Sequence, residues 1–143
     1  MKILLYTKEA DEFRGQWKKI LESNFKGQRV ETLPTVNDLI RRLREPSEEP
    51  KIIILLISDQ EELRRLLSIQ HLFLNVPLLI QVPDDLAETV QMAHRLRPRY
   101  LNGAAGDFGA LVEVLRKMLT TPKTTPGWVR KSSYSGPEGE SQR

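Results

Sequence analysis

The chain of 143 residues contains no cysteine. Disulfides, thiolate catalysis and cysteine-based metal sites are thereby excluded, and a reducing cytoplasm is the default compartment. Only two histidines occur, and neither His71 nor His94 has a second histidine or a cysteine at ligand spacing. Both read as surface or boundary residues rather than metal ligands or general bases. No glycine follows the first apolar stretch: Thr7-Lys8-Glu9-Ala10-Asp11 offers no cradle for phosphate, which argues against a dinucleotide, flavin or Walker-type site. Serine-nucleophile motifs are missing as well. No apolar run approaches the roughly 18–20 residues that cross a bilayer. The short apolar stretch at residues 2–6 lacks a small-residue cleavage site and ends at Lys8-Glu9, so it reads as a first strand and not a signal peptide.

Charge of one sign is also scarce. The net charge is +3, from 22 basic and 19 acidic residues, and the isoelectric point is near 9.3. Part of the excess falls late in the chain, where Lys123, Arg130, Lys131 and Arg143 face only Glu138 and Glu140. A mild excess of mixed sign does not mark a nucleic-acid protein. Apolar content of 39% with 29% charged residues suits a globular protein, and the length suits one domain with a tail.

What is present is a greasy strand with an abrupt end. Lys51-Ile52-Ile53-Ile54-Leu55-Leu56-Ile57-Ser58-Asp59 holds six consecutive large apolar residues before Ser-Asp. A strand apolar on both faces must be covered on both faces, as in the centre of a parallel α/β sheet. Asp59 falls where strand gives way to loop, at the carboxyl edge where open α/β sheets place their sites. The stretch Val76-Pro77-Leu78-Leu79-Ile80-Gln81-Val82 is a second run of this kind.

Helical periodicity fills the gaps. Phe13, Trp17, Ile20 and Leu21 form one face, and Val36, Leu39, Ile40 and Leu43 a second that starts at Pro34-Thr35. Leu63, Leu66, Leu67 and Phe73 or Leu74 form a third. A fourth carries Leu86, Val90, Ala93 and Leu96, with Asp84 and Asp85 as caps. A fifth carries Phe108, Leu111, Val112, Leu115, Met118 and Leu119, capped by Asp107. Weaker strands are expected at residues 28–33 and 99–101. Five β-α units with right-handed crossovers give a doubly wound five-stranded parallel sheet of order 2-1-3-4-5 between two helical layers. Residues 1–120 form the expected domain. Residues 121–143, rich in Pro, Thr, Ser and Gly, read as a flexible tail.

Over residues 1–120 this arrangement resembles the receiver domains of bacterial response regulators, a flavodoxin-like fold. Leu56-Ile57-Ser58-Asp59 is similar to the end of the receiver's third strand with its phospho-acceptor aspartate, and Val76-Pro77-Leu78-Leu79-Ile80 to the opening of its fourth. Tyr100 falls where strand five often carries an aromatic switch residue. Matching the third strand from its Pro-Lys start instead puts Leu56 at the acceptor position. The departures from the pattern are specific. The metal-binding acidic pair corresponds by position to Thr7 and Lys8, the hydroxyl at the end of strand four to Val82, and the lysine after strand five to about Gly103. Mg²⁺ requires oxygen ligands and an ammonium repels it.

The resemblance therefore implies a degenerate receiver, or pseudo-receiver: a non-enzymatic signalling domain without cofactor or metal that acts by protein–protein interaction. Lys8, at the tip of strand one, is placed to pair with Asp59 at the tip of strand three and so to lock one conformation. Arg95, Arg97, Arg99 and Tyr100 are the candidate contacts for a protein partner, or for a second copy, through the helix four–strand five–helix five face. Arg41-Arg42 and Arg64-Arg65 read as solvated helix faces. Two rival expectations remain open: phosphorylation on Asp59 with atypical neighbours, and nucleic-acid binding through the basic tail.

Overall fold

The computed structural model describes residues 2–8, 11–46, 49–103 and 108–120. The chain divides into two units after Val112. The element order is β1 (Lys2–Thr7), α1 (Asp11–Asn24), β2 (Arg29–Leu33), α2 (Val36–Arg44), β3 (Lys51–Leu56), α3 (Gln60–Ser68), β4 (Leu78–Gln81), α4 (Ala87–His94), β5 (Tyr100–Asn102) and α5 (Phe108–Thr120). All strand pairs are parallel, and the sheet order is β2-β1-β3-β4-β5. Lys2 aligns with Lys51 and Thr7 with Leu56, so β1 and β3 run side by side over their whole length.

Period-two alternation divides the apolar strand residues between two faces. Leu4, Tyr6, Ile53, Leu55, Leu78 and Ile80 pack in one cluster with Leu39 of α2, Leu63 and Leu66 of α3 and Ala93 of α4. The alternate residues Ile3, Leu5, Ile52, Ile54 and Leu79 are equally buried. They belong to the opposite face, as do Trp17 and Leu21 of α1 and Leu111 of α5, all buried outside that cluster. Burial on both faces is what the unbroken Ile-Leu run of β3 requires. β2 and β5, with their half-buried residues, are the two edges.

Several local details differ from the sequence reading. Ile20 is exposed, while Trp17 and Leu21 carry the buried stripe of α1; the side chain of Phe13 lies outside the described set. The third helix ends at Ser68, and a short 3-10 turn, Gln70–Phe73, follows it. That change of pitch points Phe73 into the core and leaves Leu74 69% exposed. β4 begins at Leu78, two residues later than expected. α4 begins only at Ala87, and Leu86 is exposed at its N-cap without a side-chain cap. Asp84 instead accepts from the Leu86 amide at 3.0 Å, closing a local turn ahead of the helix. The expected cap Asp107 and the expected tail at residues 121–143 lie outside the described residues.

Phe73→Ala should destabilise the domain by about 3–5 kcal/mol through loss of a buried aromatic, whereas Leu74→Ala should change stability by less than about 0.5 kcal/mol. Urea unfolding measures both. Equal losses would contradict the break after α3.

Candidate functional site

The carboxyl ends of β1 and β3 meet the first turn of α3. Asp59 is the N-cap of α3, in extended conformation, and its Oδ1 accepts from the Glu62 amide at 2.8 Å. It stands three residues beyond the last residue of β3, while the residue aligned with the end of β1 is Leu56. Lys8 Nζ donates to Asp59 Oδ2 at 2.6 Å. Each oxygen of the carboxylate therefore has a donor. The Lys8 bond holds the Asp59 carboxyl below its ordinary pKa, and the amide bond from Glu62 adds to this. Both side chains are nearly half exposed, which limits such an ion pair to about 0–1 kcal/mol.

The buried member of this cluster is Glu62, only 4% exposed. Its Oε1 accepts from the Ser58 amide at 2.6 Å, and its Oε2 accepts from the Tyr6 hydroxyl. Asp59 and Glu62 form a variant of the capping box, in which the glutamate reaches back to the residue before the cap. Burial, followed by the bond to Glu62 and the charge of that carboxylate, raises the Tyr6 phenol well above its usual range. The phenol therefore keeps its proton at neutral pH, and Tyr6 is the donor in this bond. One residue into α3, Gln60 Nε2 donates to the buried Thr89 Oγ1 of α4 at 2.6 Å. The first turn of α3 is in this way tied to β1 on one side and to α4 on the other. Tyr6, Glu62 and Thr89 had no place among the residues singled out from sequence. The available signal was Asp-x-x-Glu directly after a strand.

The surroundings do not fit a divalent metal. Thr7 is fully buried and Lys8 brings a positive charge. Among the described residues no group of three His, Cys, Asp or Glu is placed to hold an ion. Val82 is buried in the apolar cluster and has no hydroxyl to offer. A Cβ on Gly103 would come 3.0 Å from Asp85 Oδ1, so a side chain at that position would require Asp85 to shift. The described residues of this edge are engaged in ion pairing and helix capping.

The expected partner patch divides. Arg95, Arg97 and Arg99 line a groove of about 680 Å³ with the 3-10 turn and the link into β4. That groove lies where β4 and β5 begin, at the edge opposite Asp59. Tyr100 is not among its lining residues; it is half-buried and its hydroxyl donates to Asn102 Oδ1 at 3.4 Å.

The sequence matches no described protein family and no curated protein. Its structure is similar to a solved one, described as the crystal structure of response regulator receiver protein from Pseudoalteromonas atlantica. The two share 13% sequence identity at a TM-score of 0.67, over 83% of this chain and 97% of that one. The fold is that of a receiver domain. The five parallel strands in flavodoxin-like order agree with that likeness. No described helix is long and apolar enough to cross a membrane.

Three substitutions separate capping from charge pairing. Asp59→Ala should cost about 0.5–2 kcal/mol through the lost cap, and Lys8→Ala less than about 1 kcal/mol. Glu62→Ala strands the buried Tyr6 hydroxyl and should cost about 1–3 kcal/mol for that donor alone. Because the folded state lowers the Asp59 pKa, its contribution is present above the unfolded value near ~3.9 and fades as pH falls through the folded value. Asp59→Asn, which keeps a capping oxygen, should remove that part of the acid loss in urea titrations below about pH 4. An unchanged acid profile would contradict the pairing.

Proposed function

We propose that this receiver-fold domain acts by binding another protein and not by accepting a phosphoryl group. The observation that carries the reading is the engagement of Asp59: one oxygen caps α3 and the other takes the Lys8 ammonium. Phosphoryl transfer to a carboxylate depends on positioning and on neutralisation of developing charge, usually by a metal. Here the positive charge beside Asp59 comes from the Lys8 ammonium. In this reading Lys8 and Asp59 serve as a structural lock, and α3 keeps one position because Tyr6 and Thr89 hold its first turn. Such a domain has no catalytic residue, cofactor or metal. Its output is recognition, with Arg95, Arg97 and Arg99 as contacts and a signalling protein as the partner.

Incubation with a small-molecule phosphodonor and Mg²⁺, followed by intact-mass measurement, tests this. The expected result is an unmodified chain. A phosphate adduct that disappears in Asp59→Asn would overturn the proposal and restore the reading of an atypical phosphorylated regulator.

A further inference from the structure

The groove beneath the start of β4 and β5 has three features that belong together. Its cations come from one short stretch: Arg95 caps the C-terminus of α4, and Arg97 and Arg99 follow on alternate positions before β5. No acidic residue lines the groove. Its opposite wall carries Leu74, the most exposed large apolar residue among those described, beside Val76 and Pro77.

Backbone conformation holds both walls in place. The described non-glycine residues with positive φ are Asn75, at 66°, and Arg97, at 57°, one on each wall. Asparagine adopts this region readily, but a long side chain does so uncommonly. Arg97 closes the turn that follows α4, two residues past the cap Arg95, with its amide donating to the His94 carbonyl at 2.9 Å, and its positive φ is one that usually favours glycine. An arginine there presents a guanidinium at the groove where the helix end alone would call for no side chain.

We infer that this groove binds an acidic peptide segment of a partner protein, with carboxylates on Arg95 and Arg97 and an apolar side chain against Leu74. The guanidinium fork matches carboxylate geometry, and cations with no acid lining the same groove are complementary to such a segment. The exposed Leu74 with Val76 and Pro77 gives the groove an apolar wall that suits a peptide side chain, whereas its rings are limited to the buried Phe73 and the imidazole of His71, a small surface for stacked bases. The volume is of the order that accommodates a few side chains. The inference deepens the protein-binding reading and rests on it, but it assigns the surface to the amino edge of the sheet, away from Asp59.

The test is an amide NMR titration of the full chain with a twelve-residue peptide of Glu and Asp carrying two leucines. Saturable shifts confined to residues 70–77 and 95–99 are expected. Affinity should fall at least tenfold in Arg95→Ala/Arg97→Asn, where asparagine keeps the positive-φ turn. It should also fall at least threefold in Leu74→Ser and decline with added salt. Absence of saturable shifts would overturn the inference. So would equal binding of the peptide without leucines, inorganic phosphate alone reproducing the shifts, or a single-stranded oligonucleotide binding more tightly at the same residues. Each of these outcomes leaves the unphosphorylated reading of Asp59 standing. Conversely, a phosphate adduct at Asp59 would remove that reading without touching the groove.

Discussion

Glu62 is a buried carboxylate whose two oxygens each receive a donor, and the carboxyl edge of the sheet is organised around it. A charge in that position is tolerable only when fully hydrogen-bonded. Tyr6 and the Ser58 amide meet that demand, which fixes the first turn of α3 against the tip of β1. Asp59 is then held in extended conformation as the cap, and its second oxygen faces Lys8. The buried bonds position the exposed pair. The exposed pair is the weaker interaction, although its residues were the more conspicuous in the sequence.

This ordering separates the two edges of the sheet. At the carboxyl edge, where open α/β folds place their ligands, both oxygens of Asp59 and of Glu62 take donors from this chain, and the described residues do not suit a divalent metal. At the amino edge, three arginines share a groove with an exposed leucine. In the proposed reading, recognition has moved to that amino edge, while the carboxyl edge serves stability.

The fold was legible because β3 and β4 are apolar on both faces, a pattern that few architectures other than a covered parallel sheet can accommodate. Sheet order followed from the doubly wound pattern of successive β-α units, and the greasier strands agreed with it by marking the centre. The tip of β3 was legible only in part. Asp59 and Lys8 stood out as charges at strand ends, but Glu62 reads as an ordinary surface residue of an amphipathic helix, and nothing local reveals that a tyrosine 56 positions earlier reaches it. Ile20, Leu74 and Leu86 show the limit of periodicity: each fits a helical stripe by spacing and is exposed, because the helix turns, ends or begins at a different residue. The grouping of the arginines with the 3-10 turn was illegible for a related reason. It depends on the link between α3 and β4, whose pitch changes after Ser68.

The most direct measurement is an NMR pH titration of the Asp59 side-chain carboxyl carbon, with and without millimolar Mg²⁺, in the native chain and in Lys8→Ala. If the carboxylate is committed to the α3 cap and to Lys8, its midpoint lies below the ordinary ~3.9, ignores Mg²⁺, and rises when Lys8 is removed. An ordinary midpoint, or one that Mg²⁺ displaces in the native chain, would contradict that commitment.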